Sequence, residues 1–407
     1  MNVVMLAIGF PPDQIGGTEL YVHHLTEQLE AKGVKVTVVV SDDAYVTSSS
    51  PTVKILDATQ FGQLLDTQKP DLVHWHPQTI GRDRGHLLEA HHRRVPLVAT
   101  YHTATLSCPR GDLLYQGETI CDGELIEARC IDCVYQKHGV PASIGGALRW
   151  MTSNLPNSKG LFPRRLQSAF EINDQVQRLH QLVEETVELV SHWVPPADWV
   201  RECLVKIGVE PEKCTVVRQG LSIPLADTRK GKNDKTVFGF VGRVTREKGA
   251  HLLHQAMIAL KQYDFELRIV GRTGVEPFDE LLRDIRVSWQ EEVEPTAMSS
   301  FYRDLDYLLV PSISPETGPM VVLEAWSQGT PVIGSDRGGV AEWLRAYKGG
   351  QLFEAGNADS LMEALKSVLG EPDKFLNLSK NVPELTEGYL AEQMMKVYDD
   401  VVAAGRR

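Results

Sequence analysis

Residues 311–336 read PSISPETGPMVVLEAWSQGTPVIGSD, and they leave the chain few folds to choose from. The apolar run from Asp306 to Val310 precedes them and stops at a proline, the pattern of a buried parallel strand. Pro331 to Ile333 predicts the next strand. Between the two, Pro319 suits a first helical position, Gly329 suits a helix stop, and Met320, Leu323 and Ser327 share one face. The order strand, glycine-bearing loop, helix, strand belongs to a parallel α/β sheet, with a helix N-terminus at the strand's carboxyl end.

That geometry attracts anions. Unpaired N–H groups around Gly318, Met320 and Val321, beside Pro319, add to the helix dipole and suit a phosphate. Glu316 on the loop and Glu324 inside the helix flank the same place, and helical side chains lean toward the N-terminus, so Glu324 reaches over the first turn. Each carboxylate is able to accept from vicinal hydroxyls of a ribose or hexose. The spacing by itself also describes two solvated surface glutamates, so the surrounding sequence has to decide.

A chain of 407 residues exceeds one ordinary core and predicts two domains. With 42% hydrophobic and 24% charged residues it belongs among globular chains, and a net charge of −12 argues against nucleic acid as a partner. No run of 18 apolar residues offers a membrane span. The first residues, MNVVMLAIGFPP, read as a buried strand rather than a basic leader, which leads to an expectation of a cytoplasmic enzyme.

In the first half, a strand from Asn2 to Phe10 leads through Gly16 and Gly17 to a helix from Leu20 to Lys32. This is a phosphate-facing turn or a plain tight turn, without dinucleotide-fingerprint spacing. Strands at 71–76 and 96–101 follow, and the second delivers His102 to the carboxyl edge, where ligands of open parallel sheets bind. His74 and His76 share a strand face as metal ligands or as hydrogen-bonded core. Residues 107–134 read as an insertion without sheet elements. It carries Cys108, Cys121, Cys130 and Cys133, whose clustering fits a structural zinc ion, free thiols or a disulfide pair. Between Cys133 and Phe170 no acidic residue occurs, while Lys137, Arg149, Lys159, Arg164 and Arg165 interleave with Trp150, Leu155, Leu161 and Phe162. Segment 137–165 is thus a surface for an anionic membrane or acidic acceptor, or a solvated helical hairpin. Cys214 to Arg218 predicts a strand, and a polar linker to Lys235 closes the domain.

In the second half, a strand from Val237 to Val241 runs into Gly242, Arg243, Lys248 and Gly249. Arg243 offers a planar fork and Lys248 a compact charge, a pair suited to a diphosphate. Asp304 and Asp306 have the spacing of a D-x-D metal motif, but Asp306 opens an apolar strand, so the pair reads as a helix-to-strand junction. A last helix from Tyr389 to Ala404 is free to return to the first domain.

These residues together resemble the retaining, nucleotide-sugar-dependent glycosyltransferases of family four. The resemblance runs through most of the chain and rests on Phe10-Pro-Pro with Gly16-Gly17-Thr-Glu19, Tyr101-His102, Gly242-Arg243 with Glu247-Lys248-Gly249, and Pro311-Ser312, Glu316-Thr-Gly318, Leu323-Glu324-Ala325. It implies the GT-B fold, an α/β architecture of two Rossmann-like domains facing across a cleft. Their expected bounds are 1–220, bearing the cysteine insertion at about 104–165, and 221–385, with helix 386–407 packing back on the first.

The resemblance also implies roles. Arg243 and Lys248 would bind the donor pyrophosphate, the amides from Gly318 through Pro319 and Met320 to Val321 its phosphates, Glu324 the ribose, and Glu316 the transferred sugar. Gly16 and Gly17 would close over the donor, and His102 would stand beside the sugar. Arg243, Lys248, Glu316 and His102 are the implied catalytic set, with no cofactor for catalysis and no divalent metal at the reaction centre, so that any zinc would be structural. The implied partners are a nucleotide-diphosphate sugar and a saccharide, lipid-linked or small-molecule acceptor, as in polysaccharide or glycolipid synthesis. Thr317 and Pro319 replace larger apolar residues of many relatives, and Glu291 replaces a common glycine near the base, which leaves the base open. A sugar-nucleotide epimerase or a non-catalytic sugar-nucleotide-binding protein would share the architecture.

Overall fold

A computed structural model describes residues 1–11, 16–41, 53–154, 164–220, 235–274, 278–371 and 386–405. The chain divides into two units, one formed by Met1–Arg218 with the segment from Leu390 onward, the other by Gln219–Tyr389. Of the expected linker, residues 221–234 lie outside the described residues, as do Lys159, Leu155, Leu161 and Phe162 of the basic segment.

In the first unit the strands are β1 (Asn2–Ala7), β2 (Lys35–Val40), β3 (Val53–Ile55), β4 (Leu72–His76), β5 (Leu97–Thr100), a small hairpin of β6 (Leu114–Tyr115) and β7 (Thr119–Ile120), and β8 (His192–Val194). The main sheet is parallel in the order β3-β2-β1-β4-β5-β8. Its runs are apolar on both faces because helices cover both. Val3 and Met5 face a core completed by Leu25 and by Leu390, Met394 and Tyr398 of the last helix, Glu387–Gly405. Val4 and Leu6 face the opposite core with Phe61, Trp75 and Trp193.

The second unit repeats the plan with β9 (Thr236–Val241), β10 (Phe265–Val270), β11 (Val287–Gln290), β12 (Tyr307–Val310), β13 (Val332–Ser335) and β14 (Gly350–Phe353), parallel in the order β11-β10-β9-β12-β13-β14. In both sheets the order reverses beside the first strand, and a crevice for ligands opens at the carboxyl ends there. In the second unit that place lies between β9 and β12. Asp306 is a junction, as its sequence implies: its carboxylate accepts the Val237 N–H at 2.9 Å and ties β12 to β9.

Two expectations need correcting. The insertion does contain sheet structure, the β6–β7 hairpin, followed by a helix over Glu127–Lys137. Cys214 to Arg218 is not a strand: Cys214 makes one isolated parallel bridge with Trp193, directly after a 3-10 turn at Pro211–Lys213 that breaks the run.

Candidate functional site

Two loops meet at the switch point of the second sheet. The loop after β9 carries Gly242 to Gly249, and the loop after β12 carries Pro311 to Pro319. They are stitched by backbone, since Ile313 N donates to the Glu247 carbonyl at 2.9 Å. Gly249 has φ +84, and a side chain there would overlap the Pro311 carbonyl, so glycine is required twice over, for conformation and for closeness. The helix Met320–Ser327 begins one residue later than the sequence suggests, with Pro319 as its extended N-cap.

The side chains complete the connection. Lys248 Nζ donates to Glu316 Oε1 at 2.6 Å, and Ser312 Oγ donates to the same oxygen at 2.6 Å. Burial would lift the Glu316 carboxyl, but the Lys248 charge, its hydrogen bond, Ser312 and the Arg243 charge outweigh it and hold the group below its ordinary value. Glu316 therefore stays an acceptor. Arg243 is exposed at the end of β9, its charge within reach of Glu316.

Glu324 lies one helix turn in, where Tyr302 OH donates to Glu324 Oε2 at 2.5 Å. Burial raises the Glu324 carboxyl despite that bond, and burial with the nearby carboxylate pushes the Tyr302 hydroxyl well above its usual range. Gly318 is covered by the carboxamide of Gln219. Sequence reading gave no role to Ser312, Tyr302 or Gln219; of these, only Ser312 sits inside the stretch that carries the signal.

The remaining expected residues belong to the first unit. Gly16 is the extended N-cap of helix Gly17–Ala31, and a side chain there would press on the Glu19 carboxylate, which is 3% exposed and accepts from Gln78 Nε2. His102, partly buried past β5, shares a ring-to-ring hydrogen bond between its Nε2 and His76 Nδ1 at 3.1 Å. His74 completes the row, with Nδ1 2.6 Å from Tyr398 OH and Nε2 2.8 Å from Thr100 Oγ1. Burial first, then the neighbouring rings, drives His74 down to about 3 and His76 well below the usual imidazole range; burial does the same to His102, at about 3. His74 and His76 are thus hydrogen-bonded core, one of the two readings their spacing left open.

No disulfide joins the four insertion cysteines. Cys133 Sγ accepts the Gln116 N–H at 3.2 Å, and Cys121 Sγ turns to Asp122 Oδ1 at 3.8 Å. Among the described residues, no three His, Cys, Asp or Glu side chains stand ready to hold a metal ion. In the basic segment, Arg149 is committed to Asp132 at 3.0 Å and Lys137 to the Arg110 carbonyl at 2.7 Å, whereas Trp150 and Ile144 are 68% and 52% exposed. A cavity of about 450 Å³ at the amino-terminal edge of the first sheet is lined by Asp66, Lys69, Asp71 and Arg93, but there Arg93 is neutralised by Asp66 and Glu89.

Comparison with known proteins supplies the context. The model of "Glycosyl transferases group 1" matches residues 225–385, and that of "Glycosyltransferase Family 4" matches residues 15–118. The chain is 27% identical over 247 residues to a D-inositol 3-phosphate glycosyltransferase of Catenulispora acidiphila, covering 54% of this chain and 58% of that protein. It is 28% identical over 189 residues to the putative colanic acid biosynthesis glycosyltransferase WcaL of Escherichia coli, covering 42% and 46%. The matched regions span about half the length of these curated relatives. Among solved structures, HepE of Anabaena superposes with a TM-score of 0.65 at 16% identity, covering 98% of this chain and 100% of that one. Sucrose-phosphate synthase from Thermosynechococcus elongatus gives 0.65 at 17%, covering 99% of each.

Proposed function

We propose that this chain, which belongs to glycosyltransferase family four and is built on the GT-B fold, moves a sugar from a nucleoside diphosphate to an acceptor hydroxyl with retention at the anomeric carbon. The observation that carries the reading is the Lys248–Glu316 pair, 2.6 Å apart, at the carboxyl edge of the second sheet. It sets a cation and a sugar-hydroxyl acceptor side by side at a helix N-terminus. Structures of the same fold hold UDP and UDP-glucose in HepE, and ADP with acarbose in starch synthase IV of Arabidopsis, which supports a nucleotide-sugar donor.

In the proposed reaction the bond from the anomeric carbon to the donor phosphate breaks, and negative charge grows on the departing diphosphate. Arg243, Lys248 and the amides around Gly318, Met320 and Val321 receive that charge where it forms, so the transition state gains more than the bound substrate does. These fixed cations and dipoles take the place of a divalent ion. Glu316 holds hydroxyls of the transferred sugar and Glu324 those of the ribose. His102, kept neutral by burial, is able to hydrogen-bond the sugar without repelling the cationic carbon. The leaving phosphate takes the proton of the acceptor hydroxyl as the new bond forms on the same face.

Lys248→Ala tests the core of this. Turnover with the best donor of a UDP-, GDP- and ADP-sugar panel should fall about 10²-fold or more, EDTA should leave the wild type unchanged, and NMR should show a retained anomer. Near-normal turnover in the variant refutes the assignment. Product formed without acceptor favours the epimerase, and the absence of any turnover of the panel favours a binding protein.

The acceptor, a saccharide, lipid-linked or small molecule, would meet the first unit near His102 and the cysteine insertion. No described helix is long and apolar enough to cross a membrane, and the proposal keeps the enzyme cytoplasmic. Peripheral contact with an anionic membrane through 137–165 rests on exposed Trp150 and Ile144; Trp150→Ser should weaken binding to anionic vesicles. A structural zinc ion would take Cys108 and Cys121 from the loops around the hairpin and Cys130 and Cys133 from the helix Glu127–Lys137.

A further inference from the structure

We infer that Gln219 is itself a ligand of the donor diphosphate, and that residue 318 is glycine to make room for it. The inference rests on the donor-site reading above and adds a residue from the segment where the chain enters the second unit.

Gly318 does not owe its identity to its backbone, because its φ lies outside the left-handed region that favours glycine. It owes it to space. A Cβ placed there would stand 2.7 Å from Gln219 Cδ, 2.8 Å from Oε1 and 3.0 Å from Nε2. Three near-equal distances mean that the carboxamide lies broadside on the loop, its plane against the Gly318 Cα.

Gln219 is only 7% exposed, and its Oε1 has no hydrogen-bond partner among the described residues. A buried polar atom without a partner asks for one, and an anion loop beside a helix N-terminus suggests which. The carboxamide is adaptable, because its oxygen and nitrogen exchange places by a half-turn. With the NH₂ group turned to the empty side, Gln219 donates to a diphosphate oxygen beside the amides that follow Gly318, while Lys248 approaches from the other loop. A glutamine also adds no charge of its own, so it does not compete with Lys248 for Glu316.

The test is calorimetric titration of the full chain with UDP, GDP and ADP, and with inorganic pyrophosphate as the minimal probe. Gln219→Ala should weaken binding of the preferred nucleotide and of pyrophosphate about tenfold, and Gln219→Glu further, by setting like charges together. Gly318→Ala should weaken it comparably, by levering the carboxamide off the loop. In the double variant Gly318→Ala/Gln219→Ala the losses should not add, because the methyl group then fills the space the carboxamide left. Wild-type affinity in both Gln219 variants, with denaturation midpoints unchanged, overturns the inference. So does full additivity in the double variant. Lys248→Ala separates the two levels: if it weakens binding while the Gln219 variants do not, this inference alone falls, and if it leaves binding untouched, the donor-site reading falls with it.

Discussion

Acidification should loosen the first unit in a way its buried histidines dictate. His74 and His76 are 0% exposed, with ring centroids 4.0 Å apart. Their folded values lie below the unfolded one, so their contribution to stability is complete above about pH 6.5 and is lost as pH falls toward the folded values, about 3 for His74. From pH 7.5 to 5.5 each neutral ring costs the folded state about 1.4 kcal/mol relative to an unfolded chain that takes up the proton. The two together give about 3 kcal/mol, a large share of an ordinary domain's stability. His102, also held at about 3, adds a like amount to any opening that exposes it as well. Carboxylates titrate mostly below this window and do not cancel the effect.

Native-state hydrogen exchange, read by mass spectrometry on peptides covering residues 2–7 and 72–76, gives the opening free energy at each pH. It should fall by about 3 kcal/mol across the window, and ring-nitrogen shifts of His74 and His76 should stay those of neutral imidazole down to about pH 4.5. A flat free energy, or either ring titrating near its free value, refutes the argument.

Tyr302→Phe removes the hydroxyl that holds Glu324; KM for the donor should rise severalfold with kcat less affected, as steady-state kinetics would show. Gly249→Ala forces a methyl group against Pro311 at φ +84 and should cost the second unit about 2 kcal/mol or more by guanidinium denaturation. Tyr398→Phe leaves His74 Nδ1 without its 2.6 Å partner and should cost the first unit about 1–3 kcal/mol in the same assay. Metal analysis of protein purified without chelator should find about one zinc per chain if the insertion thiols bind it, and none from the Cys130→Ser/Cys133→Ser variant; a metal-free wild type removes the proposal.

The parallel strands were legible because covered sheets need continuous apolar runs, and Val38 to Val40 and Leu308 to Val310 supply them. His192–Val194 and Gly350–Phe353 escaped notice because a histidine in one and Gly350-Gln351 in the other leave no continuous apolar run. Likewise Lys248 and Glu316 were legible through the glycines around them, which mark where loops approach closely. Gln219 and Tyr302 were not, since one meets Gly318 and the other Glu324 across distances in sequence at which no spacing rule operates. The cysteine spacing reports neighbours but not where each sulfur points, which depends on side-chain torsions.

The helix that seats Leu390, Met394 and Tyr398 against Val3 and Met5 imposes an order on synthesis. A ribosome that has released residue 218 has made the entire first sheet, yet one wall of its core is still to be translated. At about 5–20 residues per second, residues 219–389 take roughly 10–35 s to emerge. During that wait a row of valines stands uncovered, an invitation to chaperones. Expressing residues 1–218 alone would make the wait permanent, and an N-terminal fragment meant for study should carry the last helix, fused or supplied in trans.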